Sequence, residues 1–301
     1  MLKQWSIGIY ETDNPLKPEE IKGNPVLTYK NVKDICAGFV ADPFLFYKDD
    51  KFYLFFEVLN TKNNLGEIGV ATSVDAVNWE YECIVLKSEF HLSYPFVFQN
   101  GEDIFMIPEC YKSGKVTIYK AENFPFEWKP VKNILAGPYV DSTLLNYDDT
   151  FYLFTYLNKS DESENYLEIW FSDKIDGNWE KHPASPVSCG KNFPSRPGGR
   201  IIEFEGELYR FAQDTAEYYG KQIHCFRITE LTRNTFRQEK LEREAFLTAT
   251  GRGWNAIGMH NFDVIRVNGK FICCADGLSE SLFVDPRIII NKLIYKIKKH
   301  L

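Results

Sequence analysis

Asp42-Pro-Phe-Leu-Phe-Tyr-Lys-Asp-Asp-Lys-Phe-Tyr-Leu-Phe-Phe-Glu57 decides the fold, because it recurs. Aromatic and β-branched residues on either side of a short polar turn make a β-hairpin. The same pattern returns in Tyr94-PFVFQNGEDIFMIP-Glu109, Asp141-STLLNYDDTFYLFT-Tyr156, Gly198-GRIIEFEGELYRFA-Gln213 and Asn261-FDVIRVNGKFICCA-Asp276. Its first residues fall at 42, 94, 141, 198 and 261, a spacing of 47 to 63. Between hairpins lies a second unit that starts near a glycine and often ends in tryptophan. Gly66–Glu80, Gly114–Lys129 and Tyr166–Glu180 show it clearly, and Lys221–Thr235 is a weaker copy. Each period then holds about four strands, the content of one propeller blade.

Five periods predict an all-β, five-bladed β-propeller. The fifth hairpin lacks its second unit, and the N-terminus supplies one. Ile7-Gly8-Ile9-Tyr10-Glu11-Thr12 reads like Ile68-Gly69-Val70-Ala71-Thr72-Ser73, and Pro25-Val26-Leu27 like Ile84-Val85-Leu86. Residues 5–30 are expected to complete the last blade and close the ring, which removes open sheet edges. A β-sandwich or an open repeat array would also use short strands, but neither explains a terminal gap filled from the other end. The division expected is a propeller over 1–285 and a basic amphipathic helix over 286–301.

Composition narrows the function. The 301 residues are 44% hydrophobic, 16% aromatic and 26% charged, an ordinary globular balance. Thirty-five Lys and Arg against forty-two Asp and Glu leave −7, which argues against a nucleic-acid partner. No run of eighteen apolar residues occurs, and no signal-peptide pattern is visible at the N-terminus, so a cytoplasmic location is expected. Seven cysteines without a C-x-x-C pair fit reduced, buried thiols rather than a zinc or redox site.

Counting each hairpin as an unbroken ladder pairs Asp42 with Glu57, Tyr94 with Glu109, Asp141 with Tyr156 and Asn261 with Asp276. All should collect at one end of the channel, joined by His91, Arg196, Arg200, Gln213, Asp214, His260 and Asp263. Such a polar, aromatic funnel suits a sugar. Cleaving or transferring a glycosyl unit needs an ionised carboxylate near the anomeric carbon and a second group to move a proton. Asp42, Glu109 and Asp141 are the catalytic candidates. Glu57, His91, Tyr94, Arg196, Arg200, Gln213, Asp214, His260 and Asp263 are the substrate-binding candidates. Each carboxylate could instead cap a strand or neutralise an arginine. The two guanidinium groups of Ser195-Arg-Pro-Gly-Gly-Arg200 suit a nucleotide-sugar diphosphate, a sugar phosphate or an acidic sugar, or else merely balance nearby carboxylates. No cofactor fingerprint is present, and no ligand spacing demands a metal.

Val40-Ala-Asp-Pro-Phe-Leu-Phe46, Phe55-Phe-Glu57, His91-Leu-Ser-Tyr-Pro95, Met106-Ile-Pro-Glu109, Gly199-Arg200, Gln213-Asp214 and Tyr219-Gly220 resemble the N-terminal domain of plant glucosamine inositolphosphorylceramide transferases and its stand-alone bacterial relatives. The resemblance covers roughly residues 5–280. More distantly, the Asp42-Pro43 hairpin is similar to five-bladed glycoside hydrolases that act on arabinosides and xylosides. It implies a propeller in a carbohydrate context. The resemblance implies a separate C-terminal glycosyltransferase domain in the plant proteins, and none is expected within these 301 residues. The hydrolases place three carboxylates on successive blades, whereas the second blade here begins with Tyr94. The expected function is therefore glycosyl transfer in cell-surface glycan or glycolipid assembly. A glycoside hydrolase and a non-catalytic glycan-binding module for a partner transferase are the alternatives.

Residues 287–301 carry five positive charges and no negative ones. Ile290, Leu293, Ile294, Ile297 and Leu301 follow helical spacing, with lysines expected on the opposite face. Two outcomes are open. The helix can pack on the propeller with its lysines outward. Or it can lie on an anionic membrane, at its inner face, where each basic residue adds about 1 kcal/mol. The second would make a lipid-linked glycan the partner.

Overall fold

The computed structural model describes residues 2–159, 166–189, 193–241, 245–281 and 285–300. Five sheets form. Strands β1 (Leu2–Thr12) and β2 (Glu19–Glu20) are made first but belong to the last blade. The first blade is β3 (Ala37–Lys48), β4 (Lys51–Asn60), β5 (Leu65–Ser73) and β6 (Glu80–Leu86). The second is β7 (Ser93–Asn100), β8 (Asp103–Glu109), β9 (Lys115–Asn123) and β10 (Glu127–Ala136). β11 (Tyr139–Tyr147), β12 (Thr150–Leu157), β13 (Tyr166–Ser172) and β14 (Glu180–Lys181) make the third, with β15 (Ser188–Cys189) also beside β13. The fourth is β16 (Ile202–Phe204), β17 (Glu207–Asp214), β18 (Gln222–Leu231) and β19 (Phe236–Lys240), with β20 (Leu247–Thr248) beside β18. β21 (Phe262–Val267) and β22 (Lys270–Ser281) complete the fifth in the order β2-β1-β22-β21, and helix α1 (Pro286–His300) follows.

The turns behave as their residues dictate. Asp49-Asp50, Asp148-Asp149, Glu205-Gly206 and Asn268-Gly269 all hold positive φ at both positions. That is the type I′ geometry whose twist matches a tight hairpin. The N-terminal closure also forms: β1 runs antiparallel to β22 from Leu2 opposite Ser281 to Thr12 opposite Phe271. Leu27 bridges Ile7 as Leu86 pairs with Ile68 in the first blade. Between blades the core is aromatic. Phe44, Tyr94 and Phe96 lie together, with Phe44 edge-on to Tyr94 at 4.7 Å between ring centroids. Phe211 and Phe262 repeat that contact at 5.0 Å. Burying each such ring contributes roughly 1.5–3 kcal/mol.

The ladders correct the sequence-based pairing by one residue. Glu57 lies opposite Ala41 rather than Asp42, Glu109 opposite Ser93 rather than Tyr94, and Tyr156 opposite Val140 rather than Asp141. A bulge follows each pair. Asp42, Tyr94 and Asp141 sit in it with φ of 51°, 45° and 50°, a conformation non-glycine residues seldom adopt. Only the fifth hairpin keeps the expected register, with Asp276 N–H donating to the Asn261 carbonyl at 3.3 Å.

Candidate functional site at the channel mouth

At two of the bulges a neighbouring blade satisfies the backbone N–H. Asp276 Oδ2 accepts the Asp42 N–H at 3.0 Å, and Asp42 Oδ2 accepts the Tyr94 N–H at 3.2 Å. The strain of one blade is thus held by a carboxylate of the blade before it. Further along the seam between the fifth and first blades, Asn261 donates to the Pro43 carbonyl at 2.8 Å and Asp263 accepts the Leu45 N–H at 2.8 Å.

At the mouth a cavity of about 260 Å³ is lined by Asp42, Glu57 and Glu109, by His91, Arg196 and His260, and by aromatic walls from Trp5, Phe39 and Tyr219. Of the sequence-derived candidates, Asp42, Glu57, His91, Glu109, Arg196 and His260 are therefore brought together. Trp5, Phe39 and Tyr219 are additions. Trp5 lies on the closing strand, far in sequence from every hairpin. Tyr219 sat within a family motif without a role, and no pattern marked Phe39.

His260 lies between two carboxylates. Its Nε2 is 3.2 Å from Asp42 and its Nδ1 is 2.8 Å from Asp276. Burial alone would lower its pKa, but Asp276 and Asp42 push it up to about 9. Trp5 packs over the ring at 4.2 Å and Tyr219 meets it edge-on at 5.1 Å. Burial, with Glu57, Asp141 and Asp276 nearby, also raises the Asp42 carboxyl against the pull of His260. His260 therefore carries its proton through neutral pH.

Glu109 accepts from the Ser93 hydroxyl and the Tyr111 N–H, both at 2.6 Å. Burial and the charge of Asp141 still raise its pKa. Glu57 faces His91 Nε2 at 2.9 Å, while His91 Nδ1 accepts the Gly66 N–H at 2.9 Å. Gly66 has to be glycine, because a Cβ there would stand 2.2 Å from the Leu92 carbonyl and 2.7 Å from His91 Nε2.

The other candidates lie elsewhere. Asp141 is clamped by Arg196 Nε and, at 2.6 Å, by Gln213 Nε2; it reaches the cavity only through Arg196. Tyr94 plugs the axis with a fully buried ring, its hydroxyl accepting the Gly199 N–H at 2.8 Å and bonding Thr143 at 2.7 Å. Arg200 departs from Arg196 after the Pro197-Gly198-Gly199 turn. It pairs with Asp263 at 3.0 Å and donates to the Val97 carbonyl at 3.0 Å, facing a separate cavity of about 560 Å³ at the far end of the channel. Asp214 bonds Gln222 at 2.7 Å and His224 at 3.1 Å, away from the mouth.

Asp42, His260 and Asp276 offer ligand atoms within 4.8 Å of one another, the one such group among the described residues. Asp276 already accepts three backbone N–H groups, from Asp42, His260 and Asn261, each at 3.0 Å. A cation would have to displace donors that fold the chain, so this set suits a proton better than a metal.

A five-bladed propeller, here with acids, histidines, an arginine and aromatic walls at its mouth, is an architecture that solved glycoside hydrolases share in fold. The chain is a member of the family defined by the N-terminal region of glucosamine inositolphosphorylceramide transferase 1, whose model matches residues 3–278. It is 36% identical over 295 residues to the Arabidopsis thaliana protein of that name, covering 91% of this chain and 39% of the relative. The counterpart from Oryza sativa subsp. japonica is 35% identical, with 91% and 40% covered. The chain thus spans about two fifths of the length of the curated relatives it matches. In structure it is similar to a putative glycoside hydrolase from Parabacteroides distasonis, with a TM-score of 0.62 at 11% identity over 88% of this chain and 97% of that one. A thermostable family-43 glycoside hydrolase gives 0.57 at 15%, over 84% and 93%. At such identities the likeness is one of fold.

Proposed function

We propose that this protein acts in cell-surface glycan or glycolipid assembly by transferring a glycosyl unit at the propeller mouth. The observation that carries this reading is the cavity itself, where Asp42, Glu57 and Glu109 face His91, Arg196 and His260 between aromatic walls. Asp42 serves as the base or electrostatic stabiliser, with His260 holding the proton balance beside it. Glu109, whose pKa burial raises, exchanges a proton with a substrate oxygen. Arg196, with Asp141 fixing its Nε, presents the rest of its guanidinium to an anionic group such as a nucleotide-sugar diphosphate. Trp5 and Tyr219 offer ring faces to a sugar. The name of the relatives supports a glycolipid acceptor of the inositolphosphorylceramide kind; the reading places the protein at the cytoplasmic face of a membrane, where nucleotide sugars are available.

A second reading, a glycan-binding module that serves a partner transferase, is favoured by one observation: Asp141 is closed off from the cavity by Arg196 and Gln213. A thermal-shift screen against nucleotide sugars, free nucleotides and neutral oligosaccharides separates the readings. Ligand at about one hundred times its Kd adds roughly 2.7 kcal/mol. Stabilisation by a nucleotide sugar, lost in Arg196→Ala and followed by product with a lipid acceptor, supports transfer. Stabilisation by oligosaccharides with release of free sugar points to hydrolysis. Binding that survives Asp42→Asn and Glu109→Gln, with no product from any donor, points to the module.

A further inference from the structure

Helix α1 is packed with its apolar stripe facing outward. At ~100° per residue, Ile288, Asn291 and Tyr295 share one face. That face meets the propeller: Ile288 is buried, and the Asn291 amide donates to Thr61 Oγ1 at 2.9 Å. Ile289, Ile290, Leu293, Ile294 and Ile297 fall on the opposite face and are 50%, 53%, 56%, 45% and 61% exposed. A helix that merely covered the blades would bury that stripe and turn its lysines out. The helix thus packs on the propeller with Lys296 and Lys298 exposed, but through Ile288 and Asn291 and not through the apolar stripe, which stays uncovered; Leu301, also assigned to the stripe from sequence, lies outside the described residues.

The flanks of the stripe are cationic. Lys296 follows one edge and Lys298 the other, both exposed, and the helix sequence holds no acid. Arg287 is paired with Asp285 at the start of the helix. An apolar arc between cations is what an anionic lipid interface accepts, with acyl chains beneath the arc and headgroup charges beside it. A second copy of the chain would instead bring like charges together.

The position of the helix matters as much as its pattern. Tyr295 reaches a cleft of about 420 Å³ that it lines with Asn64, Tyr111 and Lys112, and this cleft shares His91, Glu109 and Arg196 with the mouth cavity. The surface that faces outward and the wall of the site are two sides of one helix.

We propose that α1 seats the protein on an anionic bilayer through Ile289, Ile290, Leu293, Ile294 and Ile297, and so brings the cleft beside Tyr295 to the level of the lipid headgroups. This does not depend on which reaction the mouth performs. The test is co-sedimentation of the full chain with vesicles of phosphatidylcholine alone or with added phosphatidylglycerol. Binding to the anionic vesicles is expected, falling about tenfold or more in Leu293→Glu/Ile297→Glu and weakening as salt rises. Lys296→Glu/Lys298→Glu should lose the preference for phosphatidylglycerol. These side chains are exposed, so the thermal midpoint should stay unchanged in both variants. No sedimentation with either vesicle, or undiminished binding by Leu293→Glu/Ile297→Glu, overturns the proposal. So does a lipid-free dimer that this variant dissolves.

Discussion

Asp42 is buried and Glu109 half-buried, both with raised pKa values, yet their surroundings differ. Asp42 has an imidazolium at 3.2 Å, whereas Glu109 is held by a hydroxyl and an N–H. If the mouth is catalytic, Asp42→Asn or Glu109→Gln should each lower kcat/KM about 10²–10⁴-fold. A step that needs neutral Glu109 is lost as pH rises through its raised pKa. Asp141→Asn removes a charge that raises that value, so the alkaline limb of the rate profile should move to lower pH. His260 allows a test without substrate. Its folded pKa of about 9 exceeds the unfolded 6.5, so its stabilisation is fully present below 6.5 and disappears as pH climbs through 9. The difference in thermal midpoint between wild type and His260→Gln should be largest near pH 6 and shrink by pH 10, a span worth about 3 kcal/mol at most. Sequence alone brought these acids to one end, but it did not reveal that Arg196 and Arg200 diverge. Nothing in a four-residue spacing shows that two glycines turn the chain between them.

Elements were legible wherever periodicity alone decides. The five hairpins, four of them with I′ turns, follow from alternation and from Asp-Asp, Asn-Gly and Glu-Gly. The bulges did not follow, because counting outward from a turn assumes one residue opposite one. Three blades break that rule at Asp42, Tyr94 and Asp141. The slip sends these residues to the axis while Glu57 and Glu109 stay at the rim. Helix α1 gives the same lesson: its period was readable, but not the direction its apolar face takes. Gly66 offers a check on how tightly β5 is packed against the site. Gly66→Ala should cost ~1–3 kcal/mol and disturb the Glu57–His91 pair, seen as a lowered thermal midpoint and an altered His91 imidazole signal by NMR.

At the scale of the whole molecule, the ring is joined by β1 against β22 and by Asp276, Asn261 and Asp263 against the bulge of the first blade. Deleting residues 2–12 would leave the long edge of β22 unpaired and remove Trp5 from the cavity. Loss of a single cooperative unfolding transition, followed by calorimetry, is the expected result, together with aggregation through the bared edge. The same closure fixes an order of events in the cell. On the ribosome, β1 is synthesised before the other propeller strands, and its partner β22 after them. Four blades can assemble while Trp5 has nowhere to go, and the Asp42 bulge waits equally long for Asp276. The pocket at the mouth is therefore the final part of the propeller to mature. A chain halted just short of residue 276 has most of the propeller's sheets but lacks the Asp276 contacts to Asp42 and His260, so the mouth is complete only once β22 has been made.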